Sequence, residues 1–254
     1  MLSGMEAGMF DRPETVLLAG ASGGLARAIG GELVKRYPQV SLLTLSRGEA
    51  EPFPGHRGDQ RHLSVQLGDA ASIGEVEKFL SDSASLPDWV INCCGLLHDR
   101  ERGPEKSLDQ CADDWLLQSM RVNLLTHLHL AQALGKLLQR RQPLLWASLS
   151  AKVGSIGDNH LGGWYSYRIS KAALNMLIRN LAIEWGRRLE SCCVVAIHPG
   201  TTDTDLSQPF QENIPVDKLY SPQLSAERIV DVLRGLKSED SGQLLFWDGT
   251  PLPW

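Results

Sequence analysis

Long apolar runs are missing from this chain of 254 residues, and so is any excess of positive charge. No stretch is apolar over the ~20 consecutive residues that a membrane-spanning helix needs, so no membrane partner is expected. Lysine and arginine total 25 against 30 acidic residues, a net charge of -5. Nucleic-acid binders carry the opposite balance, which argues against nucleic acid as a partner. Cysteine is sparse and wrongly spaced for metal sites or a disulfide framework: two adjacent pairs, Cys93–Cys94 and Cys192–Cys193, and Cys111. These read as reduced thiols of a cytoplasmic protein. Met1 to Arg12 lacks the basic-then-apolar order of a signal peptide and reads as a flexible leader before a single domain over 13–254. Internal repeats, low-complexity runs and domain-splitting linkers are absent too. What remains has ordinary globular composition, 43% hydrophobic and 22% charged, and enough length for a substantial core.

Short apolar runs alternate with helical periodicity along this domain. Strands are expected at Thr15–Ala19, Val40–Leu45, His62–Leu67, Trp89–Cys93, Leu144–Leu149, Cys193–Ile197 and Gln243–Phe246. Helices are expected at Leu25–Tyr37, Ser72–Ser81, Ala112–Leu138, Trp164–Leu189 and Ser225–Leu236. Ser72 and Glu75 have the spacing of a capping box. Leu174, Ile178, Leu181 and Trp185 form an apolar stripe at helical spacing. Buried strands alternating with helices imply an α/β fold, a Rossmann-type doubly wound parallel sheet of about seven strands with helices on both faces. In such sheets ligands bind beyond the carboxyl ends of the strands, which makes the irregular stretches 151–163 and 201–224 the expected substrate walls.

The chemistry-bearing residues fall at those strand ends. Gly20, Ser22, Gly23, Gly24 and Leu25 follow the first strand and open a helix, where backbone N–H groups can approach a pyrophosphate. Arg47, after the second strand, suits the 2′-phosphate of NADP, whereas an acid would suit NAD. Asp69 could accept from an adenine amino group or simply make a turn. Asn92, Cys93 and Gly95 end the fourth strand, where glycine permits close backbone approach by a cofactor. Pro199 and Gly200, with Thr202 and Thr204, offer backbone and hydroxyl donors for a nicotinamide carboxamide. Each of these stretches is also a plain turn signal. Asn123 interrupts an apolar helical run, and Ser148 and Ser150 close the fifth strand on one side. Tyr167 and Lys171, at i and i+4, place a phenol and an ammonium on one helix face. A cation beside the phenol would stabilise its phenolate, as a general acid/base for carbonyl–alcohol interconversion requires; an unrelated surface pair has the same spacing.

Taken in order, the glycine loop, Asn92-Cys-Cys-Gly95, Tyr167-x-x-x-Lys171 and Pro199-Gly200 make the chain resemble the short-chain dehydrogenase/reductase family. The likeness spans nearly everything after the leader. The stretch from Gly154 to Lys171, and the ending Trp247 to Trp254, look further like its C-factor and sniffer-type carbonyl reductase branch. The resemblance implies that Tyr167 is the catalytic acid/base and that Lys171 binds the nicotinamide ribose and lowers the phenol pKa. It also implies that Asn123 holds a water behind the lysine and that a serine after the fifth strand orients the substrate. The glycine loop, Arg47, Asp69, Asn92 and Pro199-Gly200 would line an NADP site. Departures are Ala26 for the usual third glycine, the two cysteines, and Ala151 where a gap-free match to Gly154 expects the serine. Ser150 is then the expected hydroxyl, with Ser155 in reserve.

These features lead to an NADPH-dependent reductase of a small carbonyl compound, or the reverse alcohol oxidation. Leu206, Pro209, Phe210, Ile214 and Tyr220 point to a partly apolar pocket. A cofactor-binding, C-factor-like signalling or scaffold protein with vestigial catalysis is the alternative. A nucleotide-sugar epimerase or dehydratase would use the same pair but usually needs more chain after Ile197. By the same resemblance a homodimer or homotetramer is expected, through the helices at 115–138 and 164–189.

Overall fold

Alternation along each strand sends successive side chains to opposite sheet faces, and this chain makes both faces apolar. In the computed structural model, which describes residues 10–49 and 51–254, the result is a sheet with helices on either side. The parallel strands are β1 (Thr15–Ala19), β2 (Ser41–Ser46), β3 (Gln60–Ser64), β4 (Trp89–Asn92), β5 (Leu144–Leu149) and β6 (Cys192–His198). A two-residue pair, β7 (Thr201–Thr202) with β8 (Leu219–Tyr220), stands apart, and β9 (Leu244–Phe246) and β10 (Pro251–Leu252) complete the main sheet. Its order is β10-β9-β6-β5-β4-β1-β2-β3, parallel except for β10.

The two faces take different helices. Leu17, Val90, Trp146 and Val194 face α2 (Ser72–Ser81), α4 (Thr126–Gly135) and α5 (Tyr165–Arg188). Val16, Ile91, Leu145 and Val195 face α1 (Gly24–Arg36) and α6 (Pro222–Gly235). The stripe expected on the long helix is in place: Leu174, Ile178, Leu181 and Trp185 are all buried, and Trp185 meets Trp146 edge-on at 5.4 Å. Each such side chain contributes roughly 1.5–3 kcal/mol by leaving water. Strand order reverses between β1 and β4, so a crevice opens at their carboxyl ends.

The expected parallel sheet is present, with β10 as an eighth strand. Other expectations are corrected. The third strand ends at Ser64, releasing 65–67 into the crevice. Ser72 does not cap α2; its hydroxyl donates to the Asp69 carbonyl at 2.6 Å, and Ala71 holds the cap position. The helix expected over 112–138 is α3 (Asp113–Met120) and α4 joined by a π-turn, Arg121–Leu125. Of the expected leader, residues 1–9 lie outside the described residues. Phe10 is buried, and Asp11 pairs with Arg234 at 2.7 Å, so the packed chain starts before residue 13.

Candidate active site

The carboxyl edge of β1 turns at Gly20, whose φ of +75 and distance from β4 both demand glycine. A Cβ there would lie 3.1 Å from the Cys94 amide nitrogen. The loop then feeds the N-terminus of α1, whose unpaired N–H groups suit an anion. Gly20, Ser22 and Gly23 line a cavity of about 290 Å³, together with Arg47, Cys93 and Gly95. The cavity also takes in Gln66, Gly68, Gln118, Arg121 and Thr126, none of which the sequence singled out. Burial pushes the Cys94 thiol up to about 11 and Cys93 higher still, so both are neutral thiols.

Other residues expected at the cofactor make contacts within the protein. Asn92 is fully buried; its Oδ1 accepts from the Cys94 amide at 3.0 Å, shaping the turn from within instead of lining the cavity. Asp69 is paired with Arg121 across 52 residues. The Thr202 hydroxyl bonds to that of Ser225 at 2.8 Å, and the Thr204 methyl lies over Gly24. Leu25 packs against the α1–α6 core, and Gly200 lies against the Tyr220 ring.

Tyr167 and Lys171 occupy the first two turns of α5, both buried, at 8% and 3% exposure. The Lys171 ammonium donates to the Leu149 carbonyl at 2.8 Å and lies 5.9 Å from the Tyr167 ring centroid. It also reaches within 3.7 Å of where a side chain at Gly95 would begin, so it borders the cavity. Helix and strand end approach this closely because of Gly154, where a Cβ would fall 2.8 Å from that of Lys171. Burial lowers the Lys171 pKa to about 8. Burial pushes the Tyr167 phenol up, so the chain as it stands holds the neutral, proton-donating form.

Asn123 sits fully buried in the π-turn, a helix irregularity that recurs at functional sites. Its amide donates to the Leu96 carbonyl at 2.8 Å and to Ser170 Oγ at 2.9 Å, and accepts from the Leu96 amide at 2.6 Å. Ser170 in turn donates to the Tyr167 carbonyl at 2.9 Å. Asn123 therefore ties the turn after β4 to α5, with both side-chain amide hydrogens used on protein.

The expected serine is not at the phenol. Ser150 Oγ donates to Asn175 Oδ1 at 2.6 Å, and Ser155 Oγ accepts from the Asp158 amide at 3.1 Å. Ala151 takes the place instead, in one apolar cluster with Leu97 and Tyr167. Ser148 is fully buried in the core. There Trp146 Nε1 donates to Ser148 Oγ at 2.9 Å, and Ser148 meets His127 Nδ1 at 2.9 Å. His127 Nε2 lies 3.2 Å from the Cys94 carbonyl. A carbonyl can only accept, so Nε2 carries the proton and Nδ1 accepts from Ser148. Burial, then the Lys171 charge, lowers the His127 pKa to about 3, which keeps it neutral. His127, one helical turn after Asn123, had no signal in the sequence beyond its place in an apolar run.

Among the described residues no cluster of three or more His, Cys, Asp or Glu could hold a metal, and no helix is long and apolar enough to cross a membrane. The profile of the short chain dehydrogenase family matches residues 14–215. The 1-hydroxy-2-glutathionyl-2-methyl-3-butene dehydrogenase of Rhodococcus sp. is 32% identical over 94% of this chain and 99% of its own. C-signal of Myxococcus xanthus is 31% identical over 55% of this chain and 78% of its own. The NADPH-bound carbonyl reductase from chicken fatty liver shares the fold at a TM-score of 0.77 and 24% identity, over 96% of this chain and all of the other. Carbonyl reductase Sniffer of D. melanogaster does so at 0.73 and 20%, over the same shares. A glycine turn at the switch point, a buried Tyr–Lys pair at the same sheet edge and a profile match over most of the chain converge: this protein belongs to the short-chain dehydrogenase family, as an NAD(P)-dependent oxidoreductase.

Proposed function

We propose that the chain reduces a small carbonyl compound with NADPH, Tyr167 giving the proton to the carbonyl oxygen. The observation that carries this reading is the buried Tyr167–Lys171 pair bordering the glycine-lined cavity through Gly95. The residues present fit a dinucleotide: a backbone cradle at Gly20 that any Cβ would fill, and the α1 N-terminus for phosphate charge. Arg47 in the wall supports a 2′-phosphate and hence NADP over NAD. Bound there, the nicotinamide would supply the hydride. Lys171, held by Leu149, keeps a positive charge near the phenol and favours its deprotonated form once the proton has gone. Asn123 and Ser170 fix the backbone at Tyr167 and so the direction of its hydroxyl.

The test is Tyr167→Phe with NADPH and a panel of carbonyl compounds. NADPH oxidation should fall at least about a hundredfold while fluorescence titration still detects cofactor binding. Undiminished turnover would remove Tyr167 from the mechanism.

Ala151 in the place of a hydroxyl, together with the likeness to C-signal, favours a second reading, a cofactor-binding signalling protein with weak catalysis. Turnover at ordinary enzymatic rates would exclude it. A homodimer through α5 is part of the proposal. Ile169, Met176 and Ile183, seven residues apart, are exposed on that helix, and Leu117 of α3 is exposed too. A monomer mass by light scattering would refute that part. Five unpaired cysteines suit a cytoplasmic location, which fractionation would test.

A further inference from the structure

Tyr167 is walled by apolar groups. Leu97 and Ala151 are buried against it, and Val153, Trp164 and Phe210 cover them. The Trp164 ring lies 6.2 Å from that of Tyr167 and 5.4 Å from that of Phe210. These are the separations at which aromatic rings attract edge-on or offset.

The two outer rings are held differently. Trp164 has φ +53, the only positive value at a non-glycine among the described residues and uncommon for so bulky a side chain. Its amide donates to the Glu105 carbonyl at 2.5 Å, and the buried Glu105 carboxylate accepts from the Ser166 amide at 3.1 Å. Trp164 is thus locked to the start of α5, two residues after it in the case of Ser166. Phe210 rides on the stretch between β7 and β8. The base of that stretch is anchored by α6: Ser225 bonds Thr202, and Arg228 stacks at 4.4 Å over Tyr220 and 3.9 Å over Trp247. Its tip meets the far wall, where His98 Nε2 donates to the Asp205 carbonyl at 2.9 Å and the His98 ring meets Phe210. One ring is tied by backbone bonds to the start of α5; the other sits on the connection between β7 and β8.

The charges flanking this wall are already engaged. Arg168 donates to the carbonyls of Val153, Gly162 and Gly163. Arg102 pairs with Asp114 and stacks on Trp115, and Lys152 pairs with Asp158. A carboxylate placed against this wall would meet apolar surface, which is costly.

Taking Tyr167 as the proton donor, we infer that Trp164 and Phe210 are the fixed and moving jaws of a clamp, and that the substrate carries a flat apolar group, aryl in the simplest case, next to its carbonyl. Phe210 now makes the ring contact with Trp164 that such a group would make. Entry exchanges one ring for another, with the tip of the β7–β8 segment releasing from His98 and closing again.

NADPH oxidation with benzaldehyde, hexanal and pyruvate tests this. The wild type should prefer benzaldehyde to hexanal in kcat/KM and leave pyruvate unreduced. That ratio should drop about tenfold in Trp164→Ala and Phe210→Ala, the worth of one aromatic pair, and survive in Phe210→Tyr. Equal losses on both aldehydes, or a preference for pyruvate, overturn the clamp while leaving the carbonyl-reductase reading intact. If the wild type reduces no carbonyl, that reading fails instead, and the clamp is decided by calorimetric titration with benzaldehyde. Binding that weakens about tenfold in Phe210→Ala upholds it, and absent or unaltered binding overturns it.

Discussion

Ala151 and Tyr167 share one buried apolar cluster, while the neighbouring Ser150 hydroxyl turns away to Asn175. The phenol thus has no companion donor from β5. Ala151→Ser should raise kcat on a carbonyl substrate about tenfold or more, since one added donor to a developing oxyanion can be worth that much. Steady-state rates for the two proteins on the same substrate decide it. An unchanged kcat would mean that a second donor is not missing.

Lys171 gives the pH dependence. With its pKa lowered to about 8 by burial, it loses its charge above that pH, and the phenol loses its cation. The rate of carbonyl reduction should therefore decline on the alkaline side from about pH 8, well below the ordinary lysine range near ~10.4. A flat kcat profile up to about pH 10 would contradict this.

His127 ties stability to acid. Its pKa falls from 6.5 to about 3 in the folded chain, so between those values the unfolded chain holds a proton that the folded one lacks. Stability is then present above 6.5 and is lost as pH falls through that window. At about pH 5.5 this one group removes about 1.4 kcal/mol. Urea unfolding of wild type and His127→Gln across this range should show a steeper acid loss in the wild type. Parallel curves would assign the loss to other groups.

The proposed preference for NADPH rests on Arg47. Arg47→Ala should raise the KM for NADPH at least about tenfold, as expected for losing a hydrogen bond to a charged group, and move that for NADH little. Equal effects on both would detach Arg47 from the 2′-phosphate.

Much of this was legible in the residues because it is local. The bounds of α2, the buried stripe on α5, the glycine turn and the Tyr167–Lys171 pair all follow from spacings within one or two turns. What escaped depends on partners far along the chain. Asp69 reads as an adenine acceptor until Arg121 arrives from 52 residues away. Ser148 and Ser150 look alike by period two, yet one finds His127 and the other Asn175. The π-turn at Asn123 leaves no local mark either, because one extra residue in a helix does not disturb an apolar pattern this dense.

The order of the sheet also bears on how copies of the chain can meet. Its last strand, β10, is two residues long and includes Pro251, which has no N–H to offer a neighbour. At the other margin β3 is polar, Gln60-Arg61-His62-Leu63-Ser64. Both rims are poor templates for a further strand, so the sheet resists growing from one molecule into the next. Exposed helix faces, such as the one carrying Ile169, Met176 and Ile183, are better suited to contact between copies.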